Sequence, residues 1–189
     1  RYKNNQTIWA WQVENEPFVS WFGENCDVPD QKFLQQEIEL VKRSDPNRTV
    51  MVTDSGEWGS WRQAMKYADI LGISLYRKSY SSIFGYVTYP FPSFIYPLKS
   101  NLVRKLFAQQ NQKTIIAELQ AEPWTQNAVL DTPLEEQRRL FSLKDFQNNI
   151  IYAQKTGFSE AYLWGVEWWF WMAQNGYPQY LDYARPVRF

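Results

Sequence analysis

The chain has 189 residues, with 20 basic and 20 acidic side chains, no His and one Cys. The balanced charge argues against a nucleic-acid-binding protein, and the single Cys excludes an intrachain disulfide and a multi-Cys metal site. The lack of His excludes Ser-His-Asp and Cys-His mechanisms and the usual ligands of catalytic zinc, so carboxylates, Lys and Tyr remain for acid–base chemistry. No run approaches the roughly 18 apolar residues of a membrane span.

The first half of the chain alternates strand-like and helix-like segments. Residues 7–13 form an apolar strand pattern that ends in the polar cluster Glu14-Asn15-Glu16-Pro17. Asp30 is the expected N-cap of a helix through Arg43. The inner face of that helix is predicted to carry Phe33, Leu34, Ile38 and Val41. Two further strands are predicted over 49–53 and 69–76, with a short helix over 58–67 between them.

The second half continues this alternation after an aromatic, Pro-rich loop over residues 80–96. The predicted elements are a helix over 98–110, a strand over 114–117, a helix over 132–155 and a strand over 161–165. The first helix has Leu98, Leu102 and Leu106 at i, i+4 and i+8. The second begins at Thr132-Pro133-Leu134-Glu135, which has the form of a capping box, and is expected to turn Leu140, Leu143, Phe146 and Ile150 inward. A Trp-rich segment and a tail end the chain.

Five strands alternating with helices predict an α/β fold with parallel strands, either an open doubly wound sheet or a (β/α)₈ barrel. The open sheet often has a Gly-rich loop after its first strand, and only Gly23 lies near that turn. Polar groups instead end the strands, where barrel enzymes carry catalytic residues: Glu16, Asp54, Tyr76, Glu118 and Trp164. A full barrel needs about 250 residues. We therefore expect residues 1–189 to be a single domain, an incomplete TIM barrel of about five C-terminal βα units with three upstream units missing.

Glu16 and Glu118 are the candidate catalytic pair. Hydrolysis of a glycosidic bond needs one acid to protonate the leaving oxygen and a second carboxylate that attacks the anomeric carbon or activates water. Each Glu ends a predicted parallel strand, so a barrel directs both into one mouth. Facing carboxylates also push their two pKa values apart, which suits these two roles.

Three segments resemble signature strands of the clan A glycoside hydrolases. WQVENEPF (11–18) resembles strand 4, TIIAELQAEPW (114–124) resembles strand 7 and AYLWGVEWW (161–169) resembles strand 8. The resemblance implies that Glu16 is the acid/base, that Asn15 binds the sugar 2-hydroxyl and that Glu118 is the nucleophile. It also implies that Trp164 is a sugar platform and that Tyr76 corresponds to the strand-6 Tyr that hydrogen-bonds the nucleophile.

The chain is most similar to cellulase-like members related to glycoside hydrolase family 5, over essentially its whole length. This implies a retaining β-glycosidase that acts on a β-linked glucan or related oligosaccharide and requires no cofactor or metal. The sequence does not indicate a protein partner. Two features depart from the family. The segment before Tyr76 lacks the usual His, and the Arg and His of the early strands are absent, so we expect the isolated 189-residue piece to be inactive.

Several residues have two interpretations. Glu14 and Glu122 are alternative carboxylates near the two motifs, and Asp54 and Glu57 either hold sugar hydroxyls or cap local structure. Loop aromatics at residues 84, 86, 89 and 91 either form distant sugar subsites or pack as an ordinary loop. The Trp168, Trp169 and Trp171 cluster either lines a groove or packs in the core, and Cys26 is read as a plain free thiol. A non-catalytic carbohydrate-binding relative, or an inactive fragment of such an enzyme, remains the alternative function.

Overall fold

The computed structural model describes residues 1–19, 30–81, 83–107 and 112–189, so Gly23 and Cys26 lie outside the described residues. Within these ranges the strands are β1 (Ala10–Glu14), β2 (Thr49–Ser55), β3 (Ile70–Leu75), β4 (Lys78–Ser81), β5 (Gly85–Thr88), β6 (Lys113–Gln120) and β7 (Ala161–Trp164). The helices are α1 (Gln31–Ser44), α2 (Arg62–Tyr67), α3 (Ile95–Phe107), α4 (Leu134–Leu140), α5 (Leu143–Gln154), α6 (Val166–Gln174) and α7 (Gln179–Ala184). None of these helices is long and apolar enough to cross a membrane.

The main sheet has five strands in the order β1-β2-β3-β6-β7, and every neighbouring pair is parallel. Each strand thus lies beside the previous main-sheet strand of the chain. A doubly wound sheet reverses its strand order at a switch point, and the five strands in the described part of the chain have no such reversal. The curled sheet with its helices is therefore an α/β, partial TIM-barrel-like fold.

The core lies between this sheet and the helices. Strand β3 is buried along its whole length, as expected for a central parallel strand. Its neighbours leave no room for a side chain at Gly72, because a Cβ there would lie 2.8 Å from the Cβ of Ala117 and 2.9 Å from Cγ2 of Thr53. Helix α5 buries Phe146 and Ile150 against the core, and each such side chain contributes roughly 1.5–3 kcal/mol on burial.

Helix α1 confirms the predicted N-cap, because Oδ1 of Asp30 accepts a hydrogen bond from the backbone N–H of Phe33 at 2.7 Å. Leu34 and Ile38 are buried as expected, but the Phe33 side chain is 51% exposed and does not belong to the inner face. In α3 the leucine pattern is misleading. Leu98, Leu102 and Leu106 are exposed, and the buried residues of α3 are Tyr96, Ser100 and Val103.

The predicted helix over 132–155 is two helices, because Phe141 leaves the helical conformation and is buried between α4 and α5. The capping box belongs to α5. Ser142 Oγ accepts from the Asp145 N–H at 3.2 Å, and Asp145 Oδ2 accepts from the Ser142 N–H at 2.8 Å. The hydroxyl of Thr132 instead donates to the carbonyl of Ala128.

Two segments have more regular structure than the sequence predicted. The antiparallel hairpin β4–β5 begins just before the predicted aromatic loop and extends into it, and its residues Lys78 and Thr88 are paired partners. The Trp-rich end of the chain folds into α6 and α7.

Candidate active site

A cavity of about 410 Å³ opens at the carboxyl ends of the parallel strands. Its lining residues follow or end β1, β2, β3, β6 and β7, or lie on the β4–β5 hairpin and just after it: Asn15, Glu16, Ser55, Glu57, Trp58, Ser74, Tyr76, Ser79, Tyr80, Tyr89, Glu118, Trp124 and Trp164. The predicted catalytic and substrate-binding residues are all brought together in one cavity: Asn15, Glu16, Tyr76, Glu118 and Trp164. Asp54, which was also expected at a strand end, does not line it. The carboxyl ends of parallel strands all lie at the same edge of a sheet, so residues that follow different strands can meet there.

Glu16 follows an irregularity in β1. Gln12 pairs with Met51 and Glu14 with Val52, so Val13 has no partner in β2. A bulge of this kind redirects the side chains that follow it. Glu16 itself has a left-handed backbone, with φ of 50°, and its N–H donates to Oγ1 of Thr53 at 2.9 Å. Such a conformation costs a non-glycine residue on the order of 1–3 kcal/mol, and Glu16 has it while lining the cavity.

The same bulge separates Glu14 from the cavity. Residues two apart on a regular strand share a face, so a regular strand would direct the side chains of Glu14 and Glu16 to the same face of the sheet. The carboxyl group of Glu14 instead meets that of Glu37 on α1, where burial and the nearby Glu14 raise the pKa of Glu37. Glu14 is therefore part of the α1 contact.

Asn15 is oriented by two donors. Its Oδ1 accepts from Oγ1 of Thr53 at 2.9 Å and from Nε2 of Gln12 at 3.2 Å. Because both donors bind the oxygen, the amide nitrogen of Asn15 is the group left to donate to a ligand.

Glu118 lies in β6, two residues before the end of the strand. The pairing with β3 shifts at this point, from Ile73 with Ile116 to Ser74 with Glu118. The hydroxyl of Tyr76 donates to Oε2 of Glu118 at 3.1 Å. Tyr76 thus fixes one carboxylate oxygen of Glu118 and stabilises its ionised form.

The two carboxyl groups are in different electrostatic environments. Burial raises the pKa of Glu16 to about 7, repulsion from Glu118 and Asp54 adds to this, and the Ser74 hydroxyl opposes it. Ser74 Oγ makes no hydrogen bond of regular geometry within the described residues. Burial also raises the pKa of Glu118, and the hydrogen bond from Tyr76 opposes that rise. Near neutral pH, Glu16 therefore retains a proton for a substantial part of the time.

Two Trp side chains complete this end of the cavity. Trp164 ends β7 and is 51% exposed. Trp124, which the sequence analysis did not single out, packs edge-on against Tyr76 with ring centroids 5.4 Å apart. Its signal was the Glu-Pro-Trp triplet after the strand of Glu118. Glu122 of that triplet lines a smaller adjacent pocket with Trp164, outside the main cavity.

The remaining Trp residues of the C-terminal segment support the fold. Trp168 and Trp169 are buried, and their indole N–H groups donate to Oε1 of Gln137 at 2.8 Å and to the carbonyl of Ala121 at 2.7 Å. Trp171 is partly buried against the same core. These three Trp residues stabilise the hydrophobic core, and none of them lines the cavity.

Metal binding finds no support in the described part of the chain, where no group of three or more Asp, Glu or Cys side chains is placed to hold an ion. The cavity therefore offers carboxyl, amide and hydroxyl groups beside exposed aromatic rings. This combination can bind a polyhydroxylated ligand and transfer a proton to it.

The comparisons with known proteins add little to this description. No protein-family model and no curated protein matches the chain. Among solved structures it is similar to one from Bacteroides fragilis described as a "putative beta-galactosidase", with 16% sequence identity and a TM-score of 0.46. The match covers 85% of this chain and 22% of that one, so the chain spans about a fifth of the length of the solved structure that it matches.

Proposed function

We propose that the protein is a retaining β-glycosidase of the cellulase-like clan A type that hydrolyses β-linked glucans or related oligosaccharides. The observation that carries the proposal is the placement of Glu16 and Glu118 in one cavity at the carboxyl ends of β1 and β6. Two carboxylates beside one bond are the machinery of glycoside hydrolysis. The sequence motifs around both residues point to the same chemistry.

In the proposed mechanism Glu118 attacks the anomeric carbon while Glu16 gives its proton to the glycosidic oxygen. The carbon–oxygen bond breaks, the leaving sugar departs as an alcohol, and the glycosyl group is bound covalently to Glu118. Glu16 then takes a proton from water, whose oxygen attacks the anomeric carbon and releases Glu118. Each Glu thereby returns to its starting protonation state.

Three neighbours assist these steps in the proposal. Tyr76 holds Oε2 of Glu118 and so orients the nucleophile. Asn15, with its oxygen held by Thr53 and Gln12, directs its amide N–H toward the sugar 2-hydroxyl, where hydrogen bonds strengthen in the transition state. The exposed ring of Trp164 provides a flat apolar surface for the sugar.

The pKa values support this division of roles. A general acid is most effective when its pKa lies near the working pH, and the pKa of Glu16 is about 7. A nucleophile must be ionised; burial raises the pKa of Glu118, and the hydrogen bond from Tyr76 limits this rise. Different environments thus fit two otherwise identical side chains to two roles.

The test is hydrolysis of aryl β-glycosides by the full-length protein, as the wild type, as Glu118→Gln and as Glu14→Gln, which is a control on the same sheet edge. We expect Glu118→Gln to abolish turnover, Glu14→Gln to retain it, and the first product to keep the β-configuration by NMR. Retained turnover in Glu118→Gln disproves the assigned nucleophile, and an inverted product disproves the covalent route. Sugar binding without hydrolysis by the wild type favours the non-catalytic carbohydrate-binding alternative.

A further inference from the structure

The cavity wall that follows β2 carries a carboxyl group and aromatic rings that the proposed hydrolysis does not use. Glu57 and Trp58 follow β2 directly, and Tyr89 follows the β4–β5 hairpin. All three line the same cavity as Glu16 and Glu118. Their side chains therefore face the space that a bound substrate occupies.

The loop of residues 56–61 that carries Glu57 and Trp58 is held firmly in place. The N–H of Gly56 donates to the carbonyl of Ser74 at 2.8 Å, and a Cβ at Gly56 would approach that carbonyl oxygen to 2.5 Å. The indole N–H of Trp61 donates to the carbonyl of Ser55 at 2.8 Å. Lys99 donates to the carbonyl of Gly59 at 2.6 Å. The loop is thus tied to β2, β3 and α3, which presents its side chains in a fixed geometry.

Trp58 has the geometry of a binding platform. Its side chain is 56% exposed although it lines a cavity. Its ring meets Tyr89 and Phe91 edge-on, with centroids 5.5 and 6.1 Å apart. The hydroxyl of Tyr89 is in turn hydrogen-bonded to Ser79 at 2.7 Å. Edge-to-face contacts of this kind hold the ring in place, and its exposed fraction leaves ring surface available to a flat ligand.

Glu57 provides the polar partner of this platform. Its Oε1 accepts from the hydroxyl of Tyr96 at 3.0 Å, and Tyr96 stacks on the buried Trp61. The carboxyl group is therefore anchored at one oxygen while its side chain remains in the cavity wall. A carboxyl group beside an aromatic face suits a sugar ring, which offers hydroxyl groups at its rim and C–H groups on its faces.

We propose that Glu57, Trp58 and Tyr89 form a second sugar subsite, which binds the leaving-group side of an oligosaccharide. The inference rests on the hydrolytic function proposed above. In that mechanism the attacked sugar lies between Glu118 on β6 and Trp164 on β7, at one side of the sheet. Glu16, which protonates the leaving oxygen, lies on the other side, next to β2. The departing sugar therefore extends toward the loop that follows β2.

The experiment compares two substrates that share one reacting sugar. Cellotriose fills the second subsite, whereas the leaving group of β-glucosyl fluoride is a single atom that does not reach Trp58. We expect Trp58→Ala to lower kcat/KM for cellotriose about 10- to 100-fold, as for loss of a well-buried aromatic contact. Its kcat/KM for the fluoride is expected to change less than about twofold. Trp9→Ala is the matched control, because Trp9 is 45% exposed and lies away from the cavity.

Equal losses on both substrates, or no loss on either, overturn the subsite. Glu57→Gln gives a second measurement, with a loss of about 3- to 10-fold expected on cellotriose alone. The full-length protein is used throughout, and if its wild type hydrolyses neither substrate, the proposed function fails and calorimetric binding of cellotriose decides about the subsite. Binding that is weakened by Trp58→Ala but not by Trp9→Ala supports it, and absence of binding overturns it.

Discussion

Replacing Glu16 by Gln should stabilise the folded protein above neutral pH, although it removes the proposed general acid. In the unfolded chain this carboxyl group loses its proton near pH 4.5, whereas in the folded protein it keeps the proton until about pH 7. Between these values the folded state binds the additional proton, so this group makes the free energy of unfolding fall as the pH rises. Gln resembles the protonated carboxyl group and does not titrate, so the variant lacks this loss.

The magnitude follows from the pKa of Glu16. A tenfold change in proton affinity corresponds to about 1.4 kcal/mol, and a pKa raised from 4.5 to about 7 sets an upper limit of about 3 kcal/mol. The side chain is only partly buried, so solvent screening reduces the expected gain to roughly 1–2 kcal/mol. The left-handed backbone at Glu16 is the same in both proteins and cancels in the comparison.

The assay is urea unfolding of the wild type and Glu16→Gln at pH 4 and pH 8. The variant is expected to match the wild type at pH 4 and to exceed it by roughly 1–2 kcal/mol at pH 8. Glu39→Gln, at an exposed position of α1, serves as the control. Equal stability of the two proteins at pH 8, or a gain that is largest at pH 4, refutes the argument that burial destabilises the ionised carboxyl group.

Three further predictions concern the same sheet edge. Tyr76→Phe removes the donor to Glu118 Oε2. Because a hydrogen bond to a charged group contributes about 1.5–3 kcal/mol, kcat/KM should fall about 10- to 100-fold. Loss of this donor also removes a contribution that lowers the pKa of Glu118, so the acid limb of the kcat/KM profile should move to higher pH. In the wild type, kcat/KM should decline as the pH rises through about 7, where Glu16 loses its proton, and a flat profile to pH 9 contradicts its role as acid. Gly59→Ala places a Cβ against the carboxyl group of Asp54 and should lower the free energy of unfolding in urea by about 1–3 kcal/mol; unchanged stability contradicts this close contact.

The sequence predicted the parallel elements well because their local signals agree with their environment. The segment of β3 is apolar except for Ser74, and the strand is central and buried on both sides. Asp30 begins α1 as predicted because its carboxylate satisfies an N–H that the first turn leaves free. The order of these strands and the polar groups at their ends predict that Glu16, Tyr76, Glu118 and Trp164 lie at one edge of the sheet, and the resemblance of the first strand motif adds Asn15.

Other features depend on tertiary contacts that the sequence pattern does not contain. Leu98, Leu102 and Leu106 have the spacing of a buried helix face, but α3 packs through Tyr96, whose hydroxyl donates to Glu57. Spacing identifies a helix face without identifying the side that meets the sheet. The break between α4 and α5 was missed for a related reason, because the buried Phe141 interrupts an otherwise helical pattern.

A raised pKa alone does not identify the catalytic carboxyl groups at this edge. Burial raises the pKa of Asp54 as well, yet both of its oxygens accept backbone hydrogen bonds, from Ser55 at 2.8 Å and from Trp61 at 2.7 Å. A carboxyl group used in this way stabilises the loop of residues 56–61 and does not line the cavity. Glu16, Glu57 and Glu118 all line the cavity, burial raises the pKa of each, and Glu57 and Glu118 each have one side-chain donor on one oxygen. Oxygens that the fold leaves free are the ones that a substrate can meet. These features therefore mark three candidates, and the sequence motifs around Glu16 and Glu118 are what select these two for the catalytic proposal.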